Sequence, residues 1–217
     1  MIRRLASVSP QSTTRIPVSP FAKIFFFDTR LAWFWLILRL VVGYEWFTAG
    51  WAKVTGVSIA FDSFGKPVAG GSWIAAGRNG VALTAFIHGA LAKASGPFPS
   101  VQPWYATFLH YAVLPNTGVM AYVIAFGELL VGLGIIAGAF TGIAAFFGMF
   151  MNLNYILAGT ISINPPLAVG ALFLLLAWRV SGYYGVDRYL LPLLGTPWTR
   201  KPLPPLQSQV ALAAQTE

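Results

Sequence analysis

Cysteine is absent from all 217 residues. That excludes a disulfide framework, a thiol relay, an iron–sulfur cluster and a CxxCH haem attachment on this polypeptide. Charge is almost as scarce, at 9% of residues, with 6 positions carrying Asp or Glu. With 57% hydrophobic residues and a mean hydropathy of +0.69, the composition excludes an ordinary soluble domain. His88 and His110 stand far apart in sequence and lack the i, i+4 spacing of a metal pair, so no metal site is expected. Residues 1–30 lack an apolar core ahead of a small-residue cleavage site, so no removable signal peptide is expected. The alternating ten-residue pattern of a membrane barrel is missing too.

What is present is apolar sequence in helical lengths. Runs near 31–51, 116–138, 140–160 and 164–181 approach the roughly 20 residues needed to cross a bilayer. They predict an all-α integral membrane protein with a four-transmembrane-helix bundle over residues 31–190. A basic tail, 1–30, carries Arg3, Arg4, Arg15, Lys23 and Arg30, and a Pro-rich tail, 191–217, carries Arg200 and Lys201. The positive-inside rule then places both termini in the cytoplasm of a multi-pass cell-membrane protein. On this reading the net charge of +8 reflects topology and attraction to anionic membrane lipid, and no nucleic acid is expected as a partner.

Residues 52–115 are too apolar for a flexible loop and too interrupted for a fifth span. VALTAFIHGALAKA and PWYATFLHYAVLPN read as interfacial helices in a long extracytoplasmic connection, anchored by Trp73, Trp104, Tyr105 and Tyr111. A fully inserted broken helix pair is the competing reading. The connection around Ala139 to Gly142 permits only a tight hairpin, so the second and third spans must be antiparallel neighbours. Gly134 and Gly138 sit at small-xxx-small spacing, a helix-approach signal that the general frequency of glycine in membrane helices also explains.

Glu45 and Glu128 lie inside these apolar runs. An ionisable group at membrane depth costs a few kcal/mol or more unless it finds a partner or a wet cavity. At a rise of about 1.5 Å per residue, Arg39 and Glu128 come out at one level, on the order of 12 to 15 Å from the cytoplasmic side. Arg39 is therefore the expected partner of Glu128, either as a buried pair that fixes register or as part of a site. Glu45, Asn152, Asn154 and Tyr155 form a layer further out, with Lys53 above them at the mouth of the first span. Residues two apart on a helix diverge by about 200°, so at most one Asn need face a site and the other can bond a neighbouring helix. Glu45 has no good partner on its own helix, which makes it a candidate proton carrier. Arg179, near the end of its span, should snorkel to the headgroups.

The segment RLVVGYEWFTAGWAKVTG, with Arg39, Gly43, Gly50 and Lys53 in the pattern R-x3-G-x6-G-x2-K, resembles the first helix of the DoxX/DoxD family. FGELLVGLGIIAGAFTGIAAFFGMFMNLNYILAGT resembles that family's second and third helices, with Gly127, Glu128, Gly132 and Asn152 to Tyr155 in matching places. The similarity runs from about 35 to 195, and the long interfacial insertion and extended tails depart from the shortest members. It implies a four-helix membrane subunit, associated in some members with thiosulfate:quinone oxidoreductase, which joins two thiosulfates into tetrathionate and passes the electrons to membrane quinone. It also implies a diffusible quinone, with no haem, flavin or iron–sulfur cluster on this chain. Glu45, Glu128 and Arg39 are then the candidate catalytic residues. Lys53, helped by Arg78 or Lys93, together with Asn152, Asn154 and Tyr155, is the candidate set for a small sulfur anion. Other members of the family partner sulfurtransferases and superoxide dismutase, so a non-catalytic scaffold docking a redox or thiol-stress enzyme is the alternative. A small-solute carrier is a third reading, poorly served by four spans without a repeat unless the chain forms a homo-oligomer.

Overall fold

The computed structural model describes residues 18–61, 65–66, 71–74 and 79–195. Arg3, Arg4, Arg15 and Arg78, and the Pro-rich tail from 196 onward, lie outside the described residues. Among those described, the regular structure is helical and contains no strand.

The chain enters through α1 (Pro20–Phe27), where Ser19 Oγ accepts the Ala22 N–H at 3.2 Å and Pro20 opens the first turn. The segment expected to belong to a basic tail is thus helical from Pro20, and Phe25 and Phe26 pack on the bundle core. The long helix α2 (Ala32–Thr55) stops at Gly56, whose φ of 78° closes the last turn with an N–H to Ala52 O bond of 2.8 Å. Next come α3 (Val81–Ala92) and α4 (Pro103–Phe108), followed by α5 (Thr117–Ala137), α6 (Thr141–Leu157) and α7 (Asn164–Leu176). Two short pieces, α8 (Trp178–Ser181) and α9 (Asp187–Leu193), finish the described chain.

α2, α5, α6 and α7 form a ring of antiparallel neighbours in the order α2–α5–α6–α7, closed by α7 against α2. Glycine sets the closest contact. A Cβ on Gly43 would strike Ile135 and Ile136, one on Gly50 the backbone of Leu129, and one on Gly132 the backbone of Phe47. These pairings fix an antiparallel register in which residue numbers on α2 and α5 sum to about 179, and they require bare backbone at the crossing. Gly134 and Gly138 act elsewhere: Gly134 faces Ala144, and Gly138 supplies the left-handed end of α5 at φ 64°.

Two helical stretches, Thr29–Thr55 and Pro103–Ala137, are long and apolar enough to cross a membrane, and α3, α6 and α7 are shorter apolar helices. The second stretch is not straight. A π turn over Leu109–Val113 and a 3-10 turn over Leu114–Asn116, containing Pro115, separate α4 from α5. The Tyr105 hydroxyl donates to the Asn154 carbonyl at 3.0 Å. On a straight helix rising about 1.5 Å per residue, Tyr105 would lie some 25 to 30 Å from Asn154. The chain therefore bends at these turns and lays α4 back over the end of α6. Leu83, Ile87, Val101, Tyr105, Leu109 and Ala158 form the small apolar core that fastens this cap.

The outer surface is strongly apolar, and a few polar groups lie within an otherwise apolar interior. Leu130, Val123, Phe147, Phe150 and Leu153 point outward, whereas Arg39, Glu128, Asn152 and Asp187 are almost fully buried.

Candidate functional site

The register of α2 against α5 carries Lys53 to Glu128. Lys53 Nζ lies 2.5 Å from Glu128 Oε2, and the Tyr155 hydroxyl donates to Oε1 at 2.6 Å. Glu128 is 1% exposed, while the Lys53 side chain keeps 16% of its surface open. The carboxylate is thus shared between a cation from α2 and a phenol from α6, both of them partly exposed while it is not. Short charge-assisted hydrogen bonds of this kind are the strong ones.

Aromatic rings enclose the ammonium. Its nitrogen lies 5.0 Å from the ring centre of Trp73 and 5.8 Å from that of Tyr155. Phe86 on α3 stands edge-on to Tyr155 at 5.8 Å and tilted against Trp73 at 6.3 Å. Trp73 is held there by backbone, since its N–H donates to the Lys53 carbonyl at 2.9 Å and the Ser72 hydroxyl donates to the same oxygen at 3.2 Å. The cap is therefore tied to the end of α2 at the residue that carries the charge. Cation–π contacts in a partly desolvated place add about 1 kcal/mol or more.

Tyr155 faces two ways. Its hydroxyl meets Glu128, and its ring lines an apolar groove of about 890 Å³ between α5 and α6 that is roofed by Phe86, Phe108 and Leu109. The groove runs from Phe140 at the hairpin to Tyr105 and Asn154 under the cap. Tyr105 donates to both the side-chain and backbone oxygens of Asn154 at 3.0 Å, and Asn154 Nδ2 donates to the Phe150 carbonyl at 2.8 Å. Asn154 thereby joins cap to bundle, and Tyr105, expected to be an interfacial anchor, is buried at that joint.

Arg39 is elsewhere. Level counting pairs it with Glu128, but its guanidinium donates to the carbonyls of Tyr184 at 2.9 Å, Ser181 at 3.1 Å and Ile136 at 3.3 Å. The cause is register: α2 meets α5 so that Arg39 lies beside Gly138, at the hairpin, whereas Glu128 lies beside residues near 51. The two levels were counted from ends of different helices that do not lie in one plane.

Around Arg39 the segment after α8 clasps the hairpin. Val186 and Asp187 donate their N–H groups to the Ala137 and Gly138 carbonyls at 3.1 and 2.7 Å. The buried Asp187 carboxylate accepts the Phe140 and Thr141 N–H groups at 2.7 and 2.9 Å. It caps the start of α6 and holds Phe140 at φ 49°, a left-handed conformation that a bulky residue adopts only when its surroundings impose it. Asp187 escaped the sequence reading because its partner segment lies about 46 residues away and no local pattern announces the contact.

Glu45 is half-buried, and among the described residues no hydrogen bond or ion pair reaches its carboxylate. It lies two turns, or about 12 Å, along α2 from Lys53, so the two acids do not share one cluster. Asn152 is fully buried one turn from Tyr155, and neither atom of its amide has a partner. Trp46 Nε1 is likewise buried and unpartnered, beside Gly148 on the preceding turn of α6. Lys93 donates to the Gly159 carbonyl at 2.9 Å, fastening the cap rather than joining Lys53.

The assembled set is a buried carboxylate, a cation paired with it, and a phenol that touches both the carboxylate and a long apolar groove. Such a set can exchange a proton with a ligand in the groove and attract an anion at the mouth. No protein-family model matches the chain, and no curated protein or solved structure matches it either.

Proposed function

We propose that the chain is a DoxX/DoxD-like membrane subunit of a quinone-linked oxidoreductase that takes electrons from a small sulfur anion such as thiosulfate. In this reading α2, α5, α6 and α7 each cross the bilayer, both termini face the cytoplasm, and the cap of α3 and α4 sits at the outer surface. The apolar exterior around buried Arg39, Glu128, Asn152 and Asp187 supports it, because lipid accepts outward-facing Leu and Phe and leaves ionisable groups to the interior.

The observation that carries the proposal is the position of Tyr155, bonded to Glu128 behind it and lining the groove in front. Quinone is the substrate that fits: its isoprenoid tail matches the apolar walls, and its head would reach the groove end where Tyr155, Asn154 and Tyr105 supply the polar atoms. Two-electron quinone reduction consumes two protons. Both come ultimately from the medium; Glu128 is the buried carboxyl that can relay them one at a time, and Tyr155, between it and the groove, is the group that passes each on. Lys53, at the open side, draws the anion.

Reduction of a short-chain quinone analogue by detergent-purified protein, followed optically with thiosulfate as donor, tests the reading. Glu128→Gln and Tyr155→Phe should each lower the rate by about 10²-fold or more while the protein stays folded. Background rates in the parent, or parental rates in both variants, overturn it. A redox-silent chain that retains an enzyme through its tails would be the docking scaffold.

A further inference from the structure

Lys53 is the open end of the cluster, yet its charge is already cancelled by Glu128 at 2.5 Å. A neutral pair attracts an anion weakly, and adding a second negative charge beside Glu128 would place two anions on one ammonium. Removing the negative charge of Glu128 changes this. A protonated Glu128 leaves Lys53 a partly buried cation with no counter-ion, which is strongly unfavourable until one arrives.

Among the described residues no other acid can take that place. Of the 6 acidic residues, Asp28 pairs with Arg30, Asp187 is spent on the hairpin, Glu45 lies about two turns away, and Asp62 and Glu217 lie outside the described residues. The other titratable group in direct contact is Tyr155 on α6, with Tyr105 on α4 one contact further out. α3 contributes Phe86 and turns His88 outward, while α5 otherwise and α7 throughout bring no charge.

A second observation points to a ligand or solvent on the neighbouring turn of α6. Asn152, fully buried on the turn of α6 preceding Tyr155, has two amide N–H donors and an oxygen that nothing satisfies, and the Trp46 indole N–H is equally unmet. Buried polar groups of native proteins almost always find partners, in ordered water or ligand when protein supplies none.

We propose that the Lys53–Glu128–Tyr155 cluster is a proton-gated anion site: a small inorganic oxyanion takes the place of the Glu128 carboxylate on Lys53 only when that carboxylate takes up a proton. One proton enters with each monovalent anion, so occupancy leaves the charge of the cluster unchanged. The proton then sits on Glu128, hydrogen-bonded to Tyr155. The inference rests on the reading of Lys53 as the anion-attracting residue but requires neither quinone nor electron transfer.

Calorimetric titration of the detergent-purified full chain with thiosulfate and, separately, with redox-inert nitrate, at several pH values and in buffers of different ionisation enthalpy, tests it. For wild type the affinity should fall as pH rises, by up to about tenfold per pH unit, with close to one proton taken up per nitrate bound. Glu128→Gln should bind at least as tightly as wild type at its lowest pH and show no pH dependence. Lys53→Met with Glu128→Gln removes both charges, should remain folded, and should not bind. Wild-type affinity that ignores pH, a Glu128→Gln protein that does not bind, or binding by the double variant overturns the proposal. Loss of quinone reduction with proton-coupled nitrate binding intact would overturn the oxidoreductase reading and leave this one standing.

Discussion

At Lys53, desolvation of an ammonium is offset by a carboxylate at 2.5 Å and by two aromatic faces, and the balance depends on both charges being present. Lys53→Met leaves Glu128 buried with only the hydrogen bond from Tyr155 and no counter-charge, and we expect a loss of about 3 kcal/mol. Adding Glu128→Gln to that variant should restore most of the loss, giving a coupling that denaturant unfolding in mixed micelles measures as a double-mutant cycle. The ionisable residues themselves were legible in the sequence: acids inside apolar runs, a lysine at the end of a span, a tyrosine beside asparagines. Their pairing was not. The partner of Glu128 is chosen by which turn of α2 faces it, and that depends on glycines whose contacts are 80 to 90 residues apart along the chain. Trp73 and Tyr105 were equally hidden, since an aromatic ring suited to the headgroup zone is also suited to enclosing an ammonium or bridging two helices.

At the scale of helices, apolar run length placed α2, α5, α6 and α7 within a few residues of their bounds, because the end signals are local: Gly56 and Gly138 in left-handed conformation, Pro165 and Pro166 in the first turn of α7. The bend between α4 and α5 was not legible, as Pro115 serves a helix start and a kink equally well. The α2–α5 crossing is the most demanding contact. Gly132→Val would drive a branched side chain into the backbone of Phe47, forcing the helices apart and pulling Lys53 from Glu128. We expect a cost of about 3 kcal/mol or more, seen as a lowered thermal midpoint, whereas Gly89→Ala, with open space around its Cβ, should lie within about 0.5 kcal/mol of wild type.

For the whole molecule, the proposed topology puts the cap on one side of the membrane and the clasp on the other. The lack of cysteine makes this simple to examine, because any thiol introduced is the sole target for a maleimide. Phe98→Cys, at a site 95% exposed beyond α3, should react from outside intact cells. Leu193→Cys on α9 should react only after the membrane is opened. Labelling of both from the same side would end the four-span arrangement. Composition pointed to a membrane protein, and two helical stretches are long and apolar enough to cross one, but the cap's role as a lid over both the groove and Lys53 emerges only once the ends of α2 and α6 are brought together.

The clasp also has a consequence for biogenesis. Arg39 emerges early from the ribosome, while two of its three acceptors, the carbonyls of Ser181 and Tyr184, are made more than 140 residues later. In the proposed membrane arrangement the guanidinium must be hosted during that interval by headgroups, water or the insertion machinery. In that arrangement the last-synthesised stretch of the described chain supplies two of the acceptors that the first long helix needs inside the bundle, so its maturation is completed from the C-terminal side.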